Sequence, residues 1–376
     1  MPGDAQADSQ DRQLTMRWPW QRPRDGDLVV ASWVNQTFSH VRARARSDGK
    51  FEVVRFGVEK QGADSPADFG RRLESRGLKG CTARMVLRPQ QYQFLQIEAP
   101  GVAPDELRSA ARYQIRDMVN VHIDDVTLDV MRVGDGQNRG IAHLFVVAAH
   151  NADLQAAAEL ATSLRWSMPV IDVQETAQRN LQSLIASDQG TSQRANAALV
   201  LVGQHQAILT ICANDELFYT RRLDVPQGFL DGPWDGAAHA EPQAYAPVGE
   251  YVPDYGVAGV SYGSDYSAPA AATSGGGASA DAAAHGERAQ RFLVEVQRSL
   301  DLWDRSWSNM PLAAVRVFAG QRSVELARWL TQELGQPVAA MEVGEFFPGF
   351  DMGNDPAMVE CWPLLGHFMR IEQRKL

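Results

Sequence analysis

The sequence lacks several things whose absence narrows its function. No apolar run approaches the ~18 residues of a membrane-spanning helix. Cysteine is scarce. Cys81, Cys212 and Cys361 lie far apart, with no metal-ligand spacing and no disulfide framework. They are expected to be small buried hydrophobes in a reducing compartment. The eight histidines contain no i, i+4 pair and no HExxH-type motif, which argues against a histidine-based metal centre. Cations are the minority: 36 Lys and Arg stand against 46 Asp and Glu, for a net charge of −10. That balance argues against broad nucleic-acid binding. Met1 to Gln13 is polar, with no apolar signal core, so a cytoplasmic protein is expected.

What is present suffices for two domains. The chain has 376 residues, 44% of them apolar. Residues 1–26 read as a disordered arm, and the true start is either Met1 or Met16. Trp18 and Trp20, set among Arg17, Arg22 and Arg24, either touch an anionic membrane surface or belong to that arm.

Two three-strand meanders recur at a distance. The first comprises Leu28–Val34, Phe38–Ala45 and Phe51–Val58. The second spans 197–223, with Gly203 and Asn214-Asp215 opening its turns. Helix and strand signals follow each. After the first come a helix at Ala67–Arg76, strands at Ala83–Arg88, Ile141–Ala148 and Met168–Val173, and helices at Asn151–Leu164 and Gln174–Ser187. After the second, Leu293, Val296, Leu300, Trp303 and Trp307 mark a helix and Ala314–Phe318 a strand. Another helix is expected to be capped by Ser323 and stopped by Gly335, with a strand at Pro337–Val343 after it. The repeated order predicts a duplicated α/β fold.

Two segments interrupt the repeat. Tyr92–Glu98, a helix at Asp105–Val119 and Val126–Val133 predict a small α+β subdomain inserted at 85–140. Residues 231–286 contain no Leu, Ile, Met, Phe, Lys or Arg, and hold five of the eight tyrosines. Such a composition cannot offset ordering entropy, so a disordered insertion is expected there.

The 197–223 meander resembles the phosphate-loop meander of actin-like ATPases. Val170-Ile-Asp-Val-Gln-Glu-Thr-Ala-Gln-Arg-Asn-Leu181, Glu295-Val-Gln-Arg-Ser-Leu-Asp301 and Phe218-Tyr-Thr-Arg-Arg-Leu223 resemble signatures of the MshI/PilM family. Leu87 to Pro100, Pro104-Asp-Glu-Leu107 and Cys361-Trp-Pro-Leu-Leu-Gly366 add to the likeness, which covers roughly 16–230 and 287–370. The short second domain fits the MSHA (mannose-sensitive haemagglutinin) pilus version. The resemblance implies a duplicated actin-like, ribonuclease H-like pair of domains with a cleft between them: 27–195 as the first, 196–345 as the second, and 346–376 returning to the first. It also implies a cytoplasmic scaffold under the inner membrane. That scaffold holds the tail of a PilN-like bitopic protein and couples indirectly to other platform proteins and motor ATPases.

The same resemblance locates a nucleotide site that has lost its chemistry. The family pattern expects an Asp before the turn of the first strand, but Val30-Ala-Ser-Trp-Val-Asn-Gln-Thr37 has no acid and no Gly. The second acid is replaced by Leu201, and Phe318-Ala-Gly-Gln-Arg322 keeps only Gly320 of an expected glycine run. Without carboxylates to hold a metal, phosphate charge has no obvious neutraliser. Ser32, Asn35, Thr37, Gly203 and Gly320 remain as degenerate nucleotide-loop residues, with ATP unexpected and no metal or other cofactor expected.

The alternatives are an active actin-like ATPase or sugar kinase, and a type II secretion platform component. Members of the latter group continue into a transmembrane helix, whereas this sequence closes on Arg374-Lys-Leu376. Asp124, Asp125 and Asp129 form an acidic patch expected to be a solvated loop. Arg221-Arg222 offers either an anion site or a strand-end ion pair.

Overall fold

The structure, a computed structural model, describes residues 27–133, 142–232, 234, 276–350 and 355–370. The 1–26 arm, the tyrosine-rich stretch 235–275 and the last six residues lie outside the described residues. The chain forms two compact units, 1–188 with 343–376, and 189–342.

The first unit opens with β1 (Leu28–Val34), β2 (Thr37–Ala45) and β3 (Phe51–Lys60), an antiparallel meander. Helix α1 (Pro66–Ser75) follows, started by the Ser65 side chain, which accepts from the Asp68 N–H, and by Pro66 at its first position. Then come β4 (Thr82–Leu87), an inserted module, α3 (Asn151–Ser163), β8 (Ser167–Val173) and α4 (Gln174–Asp188). The sheet order is β3-β2-β1-β4-β8, with β1, β4 and β8 parallel.

The second unit repeats this plan. It consists of β9 (Ala195–Val202), β10 (Gln206–Ala213), β11 (Glu216–Asp224), α5 (Gly276–Ser306), β12 (Leu312–Phe318), α6 (Ser323–Leu334) and β13 (Val338–Ala340). The order β11-β10-β9-β12-β13 matches the first sheet strand for strand, and β9, β12 and β13 are parallel. A meander followed by two parallel crossovers, present twice, is the duplicated actin-like fold.

The inserted module contains β5 (Tyr92–Glu98), α2 (Leu107–Gln114), β6 (Val126–Arg132) and β7 (His143–His150). Two expectations change here. β7 does not join the main sheet. It lies between β5 and β6, so the module has three strands and runs on to His150. Its apolar stretch Leu144–Ala149 suits a central strand covered on both faces. Helix α2 also ends at Gln114, and Ile115 to Val119 continue as turns that still bury Ile115.

The expected disordered insertion, 231–286, overlaps described residues at both of its ends, and the stretch between them lies outside the described residues. Helix α5 begins at Gly276, where alanine-rich sequence favours helix over coil. Trp234 is fully buried against Phe229 and Trp329. Helix α6 is capped by Gly335 in the left-handed conformation as its sequence suggests, but its N-cap residue is Arg322 and Ser323 is already helical.

The last segment packs within the first unit through α7 (Pro356–Cys361) and a 3₁₀ run at Trp362–His367. Gly366 lies directly on α4, where an added Cβ would overlap the Ala177 carbonyl. The Asn180 side chain donates to the Gly366 carbonyl at 2.9 Å.

Candidate functional site

In parallel α/β sheets, ligands gather outside the carboxyl ends of the strands. The first unit presents three such ends side by side: β1 before Asn35, β4 before Arg88 and β8 before Gln174. The β1–β2 connection is a two-residue turn with Asn35 and Gln36 both at positive φ, 47° and 58°. That is the geometry of a tight hairpin turn, and asparagine tolerates it better than most residues. Thr37 donates its hydroxyl back to the Asn35 carbonyl at 3.5 Å. Ser32 lies beneath the turn and is fully buried.

The space beside Ser32 is filled by the guanidinium of Arg88, which is 4% exposed. Its Nε donates to Ser32 Oγ at 3.2 Å, one terminal nitrogen to Gln174 Oε1 at 3.3 Å, and the other to Ser39 Oγ at 3.2 Å. The last nitrogen also reaches the Glu360 carbonyl at 2.7 Å and the Glu360 carboxylate at 3.3 Å. One side chain thereby ties β1, β2, α4 and α7 together. An arginine stays protonated and offers no acceptor, so Arg88 itself cannot act as a general base.

Nearby, Tyr92 donates to the buried carboxylate of Glu175 and accepts from the Gln174 N–H at 3.2 Å. Asp172 is hydrogen-bonded by Thr176 at 2.6 Å and by Arg370 at 3.1 Å, with His367 Nδ1 at 3.5 Å. Burial alone would raise its pKa. The hydrogen bond and charge of His367, then Thr176 and Arg370, outweigh burial and hold the carboxyl below the usual carboxylate range.

In the second unit, Gly203 (φ +65°) and Gly320 (φ +59°) stand after the parallel neighbours β9 and β12, at one end of the sheet. The Gly320 turn closes on itself, since Ser323 Oγ accepts from the Ala319 N–H at 2.9 Å and donates to the Gly320 carbonyl at 2.6 Å. Arg322 lies 3.8 Å over the Trp234 ring and forms two hydrogen bonds with Glu325, at 2.8 and 2.5 Å.

Leu201 turns into the core of the second unit, 4% exposed. Its register partner in the first unit is Trp33. Each occupies the last strand pair but one before its turn, and Trp33 packs on Phe69.

The structure therefore groups Ser32, Asn35 and Thr37 on one hairpin, and Gly203 with Gly320 on another sheet end. Among the described residues, no three His, Cys, Asp or Glu side chains converge as a metal site would require. Asp124 and Asp129 pair with Arg112 and Arg108, and Arg221 pairs with Glu295 on α5. Cys212 and Cys361 are buried, whereas Cys81 is only partly so. Burial pushes the Cys361 thiol up to about 12.

No family model matches the sequence, and no curated protein matches it. Solved structures do. The cytoplasmic domain of EpsL, an inner-membrane component of the Vibrio cholerae type II secretion system, covers 53% of this chain and 71% of its own at 13% identity and TM-score 0.38. A Bacteroides thetaiotaomicron protein with an actin-like ATPase fold covers 90% and 95% at 7% identity and TM-score 0.45. The PilM-PilN type IV pilus biogenesis complex covers 93% of this chain and 100% of the solved chain, at 13% identity and TM-score 0.59. At that identity the likeness shows a shared fold over nearly the whole length.

Proposed function

We propose that this chain is a non-enzymatic scaffold of a type IV pilus assembly platform, of the MSHA-like kind. It would work on the cytoplasmic face of the inner membrane and hold the cytoplasmic tail of a PilN-like protein. The observation that carries the non-enzymatic half is Arg88, whose guanidinium fills the strand ends where an actin-like enzyme would need carboxylates and open backbone. The Arg88 guanidinium already engages both serine hydroxyls and the Glu360 carboxylate at this strand end, which disfavours a metal there.

The partner half is supported by the fold shared with the PilM-PilN complex. The inserted sheet adds a physical reason. β5 and β6 each pair with β7, so both flank the sheet, and an extended tail can add to such a strand. The test is titration of the full chain with synthetic N-terminal tails of the bitopic inner-membrane proteins encoded beside it. Saturable binding of one tail is expected, and no binding of any tail contradicts the proposal.

A further inference from the structure

The acidic chain carries one basic face. Residues 27–84 hold eleven Lys and Arg against seven Asp and Glu, in a protein whose net charge is −10. The fold brings Arg42, Arg44, Arg55 and Arg76 together where β2 and β3 meet the carboxyl end of α1. Arg42 and Arg55 are directly opposed across the strand pair, a like-charge placement that opposes pairing unless anions lie close. Arg55 donates to the Arg76 carbonyl at 2.7 Å and Arg42 to the Gly77 carbonyl at 2.9 Å, so both close the helix end.

Two of the compensating acids lie underneath, whereas Asp48 beside Arg46 and Glu52 opposite Arg44 are exposed. Asp27, 6% exposed, bridges Arg42 and Arg44, and Glu59, 15% exposed, bridges Arg72 and Arg76. The guanidiniums of Arg44, Arg46 and Arg76 remain outside. A β-bulge adds an apolar element, because Val54 is the extra residue between the pairs Arg42–Arg55 and Ala43–Val53, and it is half exposed beside Arg55.

We infer that this face, centred on Arg44, Arg46, Arg55, Arg76 and Val54, rests on an anionic phospholipid surface. Exposed arginines beside an exposed apolar side chain suit the charged, interfacial layer of a bilayer. Asp27 and Glu59 hold Arg42, Arg44, Arg72 and Arg76 from beneath, which leaves the outer rim of the face to the arginine head groups and the exposed Asp48 and Glu52. The inference stands apart from the pilus reading, because it requires only that the protein meet such a membrane.

Vesicle co-flotation of the full chain tests it, using phosphatidylglycerol-containing vesicles and neutral phosphatidylcholine vesicles at about 50 mM salt. Binding to the anionic vesicles is expected, at least about tenfold stronger than to neutral ones, and weaker as salt rises. The triple substitution Arg44→Gln, Arg46→Gln and Val54→Ser should lower it about tenfold or more. A chemically matched triple elsewhere, Leu302→Ser with Arg298→Gln and Arg305→Gln on α5, should leave it unchanged. Urea midpoints of both variants verify that they are folded. Equal binding to neutral vesicles, no binding at all, or equal loss in the α5 variant overturns the inference. Displacement by about 10 mM inorganic phosphate would instead reveal a free-phosphate site. Tighter binding to polyglutamate than to vesicles, lost in the same triple variant, would reveal a docking face for an acidic protein. Either result overturns the membrane assignment.

Discussion

The Arg88 guanidinium donates to Ser32 Oγ at 3.2 Å, so the hydroxyl that a nucleotide loop would present is used inside the protein. Removing the guanidinium leaves two serines, a glutamine and a carbonyl without their donor. Arg88→Ala should cost about 2–4 kcal/mol, as buried polar groups lose their partner. Arg88→Lys should recover little, because a point ammonium cannot span β1, β2 and α7 at once. Urea unfolding of the two variants measures both effects.

His40 is 2% exposed, and burial, with Arg55 and Arg76 close by, lowers its pKa from the usual 6.5 to about 4. The unfolded chain therefore binds a proton that the folded chain refuses between those values. Stability from this group is complete above pH 6.5 and falls as pH drops toward 4, by up to about 3 kcal/mol. Denaturation across pH 4–7 should show this slope, and His40→Gln should flatten it.

The C-terminal segment is locked at Gly366 and Asp172. Gly366→Ala should cost roughly 3 kcal/mol or more, since the new methyl meets the Ala177 carbonyl on α4 and backbone must move. Asp172 acts in a different pH window from His40. Its folded pKa lies below the ordinary value, so its contribution is present above about pH 4 and is lost in stronger acid. Asp172→Asn should remove that acid-range component while leaving the His40 slope, as seen by thermal unfolding at several pH values.

Trp234 joins Phe229, Phe292 and Trp329 in the second unit's core, and Arg322 covers its ring. Trp234→Ala should destabilise by about 3–5 kcal/mol. Deletion of 236–274, which spares Trp234 and α5, should leave stability within about 1 kcal/mol. Calorimetric melting of both proteins distinguishes these outcomes.

Much of the fold was legible in local patterns. The meanders stood out because β-branched runs alternate with turn residues such as Asn214-Asp215, and both of these indeed adopt positive φ. β7 was misplaced because a fully apolar run states that a strand is central, not which sheet it is central to. The start of α5 was missed because alanine counts both as filler and as the best helix former.

The arginine-filled strand end was not legible at all. Arg88 meets partners 49, 56, 86 and 272 residues away, and only the fold brings them to one point. The available hint was an arginine followed by Pro89 at the end of an apolar strand. Leu201 illustrates a different gap, because its spacing from Gly203 was plain while its inward orientation depends on strand register.

At the strand ends of the first unit the Arg88 guanidinium and its partners occupy the place of a nucleotide loop. Isothermal titration of the full chain with Mg·ATP probes whether that site still takes a nucleotide. No heat beyond dilution is expected up to about 1 mM nucleotide, and no released phosphate. Saturable binding near the micromolar range with phosphate release would contradict the non-enzymatic reading.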